Sequence, residues 1–402
     1  MTTQKKTPVD VQEVRARLVA IETQMNSTFV QRHEAIRVIL LGALSQQNYM
    51  LIGPPGTAKT SVIDCFTKHV VTTKRFKILM GKFTQPEHVV GVLDINAFKA
   101  GQYKTVTNNM LTEAPFPILD ETLKTSDGCM NAFLGILGPE REFQGVRTAN
   151  VSVGGATNWP EVDALSKHVE ALFDRFLLRC SVNAVDRSDK KLRRALYRAS
   201  REVRTYTPSA LVTVDELKAA AGAAADVEIS DEIIDLVDSV VARLMAPKRG
   251  SDSREKPSDI EVSDRRATQL QDVLRANAWL EGRDEVSIED FDVLRHGLWS
   301  KRKDIETVTA VLDTVDQAVV QDLVRKIDIG RGAYRNLQSS GFGAIAVNEV
   351  TDQIKSIAYE VKEMLERPVF TKKGRSQVRQ AMQSLRKDFE DLNARAKQAV
   401  GR

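Results

Sequence analysis

The sequence predicts an α/β protein: a mostly parallel sheet with helices on both faces, followed by a helical lid and then a helical C-terminal extension. A short apolar run at residues 49–52 reads as a buried strand, and 76–80, 116–119, 151–156 and 176–182 read as further strands. Helical stretches such as 60–71 and 126–137 alternate with them, the order that parallel strands and crossover helices require. Beyond Val182 the strand signal fades and the chain becomes charged, Ala-rich at 219–225 and helical.

Taken in order, residues 1–8 read as a flexible polar tail. From Val9 to Leu44 apolar residues recur at helical spacing: Val14, Leu18 and Ile21, then Ile36, Ile39, Leu40 and Leu44. The core of the α/β part then spans 9–182 and the lid 183–300. Within the lid, 250–257 (GSDSREKP) has loop composition, and Ser287 with Asp290 resembles a capping box opening a helix at 288–298. In the extension, 301–402, two heptad seams stand out. One is Val347, Val350, Ile354, Ile357, Val361 and Met364; the other is Val378, Met382, Leu385, Phe389 and Leu392. Residues 367–374 (RPVFTKKG) suit the turn of an antiparallel helical hairpin.

Composition narrows the class. A chain of 402 residues allows two or three domains, and 42% hydrophobic with 28% charged residues excludes a disordered or collagen-like chain. Lys and Arg exceed Asp and Glu by 58 to 54, and the resulting +4 is weak evidence for nucleic acid. Cys65, Cys129 and Cys180 have no CxxC spacing, which argues against a disulfide framework or zinc site, and the five scattered histidines form no metal-ligand pattern. No run reaches the length of a membrane span, and the first residues lack a signal-peptide core, so a cytoplasmic protein is expected.

The chemistry begins where the first strand ends. Gly53-Pro54-Pro55-Gly56-Thr57-Ala58-Lys59-Thr60 lies between a strand and a helix, the context of a phosphate-binding loop. Backbone N–H groups and the helix dipole there favour an anion. Lys59 would reach the β- and γ-phosphates of ATP, and the Thr60 hydroxyl would ligate Mg²⁺. Ala58 stands where the general pattern has Gly, tolerable if its backbone angles are ordinary. Some sixty residues on, the apolar strand Pro117-Ile118-Leu119 delivers Asp120 and Glu121 at its C-terminal end. Asp120 would hold the metal through water, and Glu121 would polarise the attacking water.

With these two motifs placed, the chain resembles an AAA+ ATPase, more narrowly the MoxR family and its RavA-type members. The carrying stretches are 53–60, 83–93 (FTQPEHVVGVL), 114–121, 171–179 (ALFDRFLLR), 262–266, 279–282 and 286–299, so the resemblance covers roughly 10–300. It implies a P-loop AAA+ core with a helix-2 insert within 83–111, where Tyr103 and Lys104 would face a pore or substrate or else pack on the surface. It implies that Asn158 matches sensor 1, that Arg175 matches an arginine finger offered to the neighbouring subunit, and that Arg265 matches sensor 2, touching the phosphates from above. Arg266 is adjacent, so that register stays open. The turn after the Asp-Glu pair, Gly138-Pro139-Glu140-Arg141, departs from the family pattern and carries no role across. The implied activity is Mg²⁺-dependent ATP hydrolysis in a homo-oligomeric, hexameric ring that remodels a protein substrate, including a protein with a von Willebrand factor A domain. Two rivals stand beside it: a nucleic-acid-acting motor, which the near-neutral charge disfavours, and a scaffold assembled by ATP whose helical tail binds a partner.

Overall fold

The computed structural model describes residues 9–163, 167–249, 255–256, 258, 260–340 and 344–400. The expected tail at 1–8 and most of the loop at 250–257 lie outside them. The chain divides into two compact units: Met1–Glu228, Asp259–Glu285 and Val293–Ile305 form one, and Ile229–Ser258, Val286–Asp292 and Glu306–Arg402 the other.

The first unit is built on five parallel strands: β1 (Tyr49–Ile52), β2 (Lys77–Leu79), β3 (Ile118–Asp120), β4 (Gly154–Thr157) and β5 (Leu178–Ser181). Their order across the sheet is β5-β1-β4-β3-β2. Ile52 is in register with Ser181 on one side and Thr157 on the other, so the C-terminal ends of β5, β1 and β4 lie level. The two central strands β1 and β4 are buried along their whole length, as strands covered on both faces must be.

Its helices are α1 (Val11–Thr28), α2 (His33–Leu44), α3 (Lys59–His69), α4 (Asp127–Ile136), α5 (Lys167–Phe173), α6 (Lys190–Arg204) and α7 (Val214–Ala225), and, after the excursion into the second unit, α9 (Asp264–Leu280). Asp10 starts α1 by accepting from the Gln12 and Glu13 amides, and the helix buries the predicted stripe of Val14, Leu18 and Ile21. Thr213 and Glu216 close a reciprocal capping box on α7. The helix-2 insert is present: Val92–Leu93 pairs antiparallel with Thr105–Val106, bracketing a short helix Ile95–Lys99. Tyr103 in it is 73% exposed.

The second unit holds α8 (Asp231–Met245), α10 (Gln317–Ser340), α11 (Ala344–Glu366) and α12 (Lys372–Val400). Both predicted seams are core: Val347, Ile354 and Val361 of α11 and Val378, Leu385 and Leu392 of α12 are buried in one cluster. A third long helix, α10, joins them with Val320, Leu323, Ile327, Tyr334 and Leu337. Gly330 of α10 explains the tight fit, because a Cβ there would sit 3.0 Å from Ile357 and 3.2 Å from Leu385. The expected helix at 288–298 is instead a run of 3₁₀ turns, Ile288–His296. The Asp290 carboxylate accepts from the Ser287 amide at 2.9 Å, while Asp290 N–H donates to the Ser287 carbonyl, the three-residue spacing of the tighter helix. Among the described residues no helix is long and apolar enough to cross a membrane.

Candidate functional site

The loop Gly53–Thr60 leaves the C-terminal end of β1 and runs into α3. Its start is held by the neighbouring strands, with Gly53 N–H donating to Thr157 O (3.2 Å) and Val182 N–H to Ile52 O (2.7 Å). Gly53 is obligatory on packing grounds: a Cβ there would lie 2.0 Å from the Val182 carbonyl oxygen. Gly53→Ala should therefore destabilise the unit by about 2 kcal/mol or more, read as a drop in thermal midpoint. Gly56, at φ +77°, is a turn position that needs glycine for conformation rather than for space.

Ala58 corrects the sequence expectation. Its backbone is left-handed, φ +66° and ψ +21°, so a residue with a Cβ sits where Gly would be unstrained, at a cost of about 1–2 kcal/mol. The loop is braced from elsewhere to hold this shape. Thr57 donates its hydroxyl to Pro54 O at 2.9 Å, and the Nε of buried Arg32 donates to Thr57 O at 3.0 Å. Burial pushes the Arg32 guanidinium below its ordinary pKa. No side chain caps α3, so its first amides are available to an anion.

Lys59 is buried and its ammonium donates to Gly53 O and Pro54 O, both at 2.8 Å, and to Asn158 Oδ1 at 3.1 Å. Asn158, just past β4, turns its Nδ2 to both carboxylate oxygens of Glu121 at 3.2 Å. One amide thus bridges the loop lysine and the carboxylate that follows β3. Glu121 is itself strained, at φ +51°, and forms an ion pair with Lys124 at 3.1 Å. Asp120 accepts from the Glu121 amide at 3.1 Å, and both acids are partly buried. The structure therefore brings Lys59, Thr60, Asp120, Glu121 and Asn158 together at the C-terminal ends of the three central strands, which make one of the two ends, or edges, between which the strands run.

Arg175 and Arg265 are at the opposite edge. Arg175 precedes β5, and its carbonyl accepts from Asn48 Nδ2 at 3.1 Å just before β1 starts. The two arginines line a cleft of about 310 Å³ together with Gln47, Arg141 and Arg147. A four-residue strand separates this edge from the loop edge, roughly 13 Å of backbone. Arg265 is thus not over the phosphate loop of its own chain. The Nε of Arg175 is buried without a hydrogen-bond partner, and Arg265 is exposed at the start of α9. Partial desolvation of the cleft-lining side chain and then the Arg175 charge lower the Arg265 pKa, with Asp174 opposing.

The neighbouring arginine has another task. Arg266 is buried, donates to Ser300 Oγ at 3.1 Å and pairs with Asp174. Asp174 also meets Arg179, a fully buried guanidinium stacked 4.1 Å from the centre of the Phe173 ring. Despite partial desolvation, the charges of Arg266 and Arg179 hold the Asp174 carboxyl below its ordinary range. Arg266→Ala should cost about 1–2 kcal/mol in thermal unfolding, because it removes a buried guanidinium from its bond to Ser300 and from the half-exposed Asp174. Arg265→Ala should stay within about 0.5 kcal/mol of the parent in thermal unfolding. Three further residues, invisible to motif reading, are structural. Asn48 ties Leu137 O, Arg175 O and the Val153 amide together. Arg141, pushed down to about 10 by burial and the nearby Arg147, holds Asn150 O and Gln46 O. Arg32 braces the loop.

A family profile described as the MoxR domain in the MoxR-vWA-beta-propeller ternary systems matches residues 16–220. The chain belongs to the MoxR family of AAA+ ATPases. A second profile, an AAA lid domain, matches 232–312. The uncharacterized protein MJ0079 of Methanocaldococcus jannaschii is 28% identical over 322 residues, covering 79% of each chain. The uncharacterized protein MJ0812 of the same organism is 28% identical over 71% of this chain and 72% of its own. A crystal structure of a candidate ATPase from Cytophaga hutchinsonii superposes with a TM-score of 0.56 at 17% identity, covering 76% of this chain and 95% of its own, and shows the shared fold.

For this MoxR-family chain the residues fit a nucleoside triphosphate with Mg²⁺. The left-handed loop, the uncapped α3 and the inward ammonium form a phosphate cradle. Among the described residues no three His, Cys, Asp or Glu side chains make a metal site alone, so a divalent ion here would need phosphate oxygens as well.

Proposed function

We propose that this chain hydrolyses ATP between copies of itself in a ring, hexameric as the resemblance implies, and uses the cycle to remodel a protein partner. The observation that supports it is the division of the catalytic groups between two edges of one sheet. Lys59, Asp120, Glu121 and Asn158 gather at the loop edge, while Arg175 and Arg265 stand at the other edge in a cationic cleft. A single chain holds two incomplete halves, and stacking copies edge to edge would complete each site.

In that reading Thr60, and Asp120 through water, would hold Mg²⁺, which would supply positive charge against the phosphates. The Lys59 ammonium gives up its loop carbonyls and binds the phosphates as a point charge. Glu121 orients the attacking water and takes its proton, while Asn158 holds the carboxylate in place. Arg175 of the adjacent copy places positive charge where negative charge develops, and Arg265, exposed beside it, acts on the same phosphates in trans. The finer reading of a RavA-like member working with a von Willebrand factor A protein rests on the resemblance and on the profile's description. The test is ATP turnover by the purified chain with and without Mg²⁺ over a range of protein concentrations. Turnover per chain should need Mg²⁺ and rise with concentration as copies assemble; Mg²⁺-independent turnover, or none, contradicts it.

A further inference from the structure

Helix α6 (Lys190–Arg204) is capped by Asp189 and carries Arg201 and Arg204 in its last turn, yet it concentrates like charge well beyond what a helix needs. Its sequence, KKLRRALYRASREVR, holds two lysines and five arginines against one glutamate, a larger positive excess than the +4 of the whole chain. Lys190, Lys191, Arg193 and Arg194 crowd the N-terminal turns, where the helix dipole disfavours cations. Lys190 with Arg194, and Arg194 with Arg198, are like charges four residues apart; Lys191 with Arg194, Arg198 with Arg201, and Arg201 with Arg204 are three apart. Among the described residues none of the seven cations is in an ion pair, whereas Arg17, Arg37 and Lys74 elsewhere in the unit are paired.

The cations share a face. At 3.6 residues per turn all seven, together with Tyr197, fall within an arc of roughly 160°. Tyr197, inside that arc and flanked along the helix by Arg193, Arg194 and Arg201, is 77% exposed. The stripe runs about 21 Å, with successive cations every 5–6 Å or closer. The opposite face is spent on the protein: Ala199 is buried, Leu192, Ala195 and Val203 are half-buried, and α6 packs on α1. That leaves no apolar face to insert into a lipid surface.

We propose that this face of α6 binds a single-stranded nucleic acid, the guanidinium groups pairing with successive phosphates and Tyr197 offering a stacking platform for a base. Five arginines suit bidentate phosphate contacts, and an exposed aromatic amid them suits bases, which an acidic protein surface does not supply. The whole-chain charge conceals this surface because the surplus is gathered on one helix. The inference does not depend on ring assembly or hydrolysis.

The test is fluorescence anisotropy of a labelled 20-nucleotide single strand and of the matching duplex, titrated with the full chain across a salt series. The parent should bind the single strand saturably and more tightly than the duplex. The triple variant Arg194→Gln/Arg198→Gln/Arg201→Gln should weaken binding at least roughly tenfold at low salt and flatten the log affinity against log salt slope by about 2. Tyr197→Ala should weaken single-strand binding roughly tenfold with little change in the salt slope. Unaltered ATP binding and thermal midpoint in both variants would show that the fold is intact. No saturable binding by the parent, equal or tighter duplex binding, or a triple variant that binds as the parent overturns the proposal. So does a change in oligomeric state or polyglutamate binding in the triple variant with oligonucleotide affinity untouched, since that outcome assigns the face to an acidic protein surface.

Discussion

Arg175→Ala should lower ATP turnover by about 10³–10⁵-fold while leaving nucleotide binding nearly unchanged. The size of the effect follows from where the charge is needed. A cation supplied to the developing charge of phosphoryl transfer acts in the transition state and contributes little to ground-state binding. The geometry explains why binding should survive. Arg175 lies before β5, at the edge of the sheet away from its own loop, and its backbone is held by Asn48 irrespective of the side chain. Its Nε has no hydrogen-bond partner, so truncation orphans no buried acceptor there. The check pairs a turnover assay with a direct measurement of nucleotide affinity, and a loss of both together would assign Arg175 to the fold or to its own loop.

Glu121→Gln should cost about 10²–10⁴-fold in turnover and again spare binding. Glutamine keeps the shape of the side chain and retains an oxygen able to accept from Asn158 Nδ2, which meets Glu121 at 3.2 Å. It cannot take a proton from water at neutral pH. It also dissolves the ion pair with Lys124, a partly exposed contact worth at most about 1 kcal/mol. Single-turnover measurements with bound ATP isolate the chemical step, and turnover at the parent's rate would remove Glu121 from the chemistry.

The parallel core was legible because each of the five strands lies within or beside an apolar run of the sequence, although the paired residues themselves include Gly154-Gly155 in β4 and Arg179 in β5. The loop and the Asp120-Glu121 pair were legible for the same reason, since each is local and sits where a strand stops. What escaped depends on groups far apart in the chain. Asn48 gains its role only when residues 137, 153 and 175 converge on it, and Arg32 only when Thr57 does. The left-handed backbone at Ala58 is set by that bracing and not by the intrinsic preference of alanine. Helix α10 was hidden by Gly330 and Gly332, which weaken a helical pattern although Gly330 is what lets its neighbours approach. The adjacent arginines 265 and 266 are chemically identical in the sequence, and only burial against Asp174 separates the structural one from the exposed one.

The central claim, that one copy completes the site of the next, is tested most directly by mixing two inactive proteins. A Glu121→Gln chain keeps Arg175, and an Arg175→Ala chain keeps Glu121. In an equal mixture about a quarter of the interfaces would join an intact loop edge to an intact arginine edge, whatever the ring size. ATP turnover should therefore reappear on mixing, up to about a quarter of the parent's rate if sites act independently. A mixture no more active than its components, under conditions where the two variants are shown to co-assemble, would contradict the account.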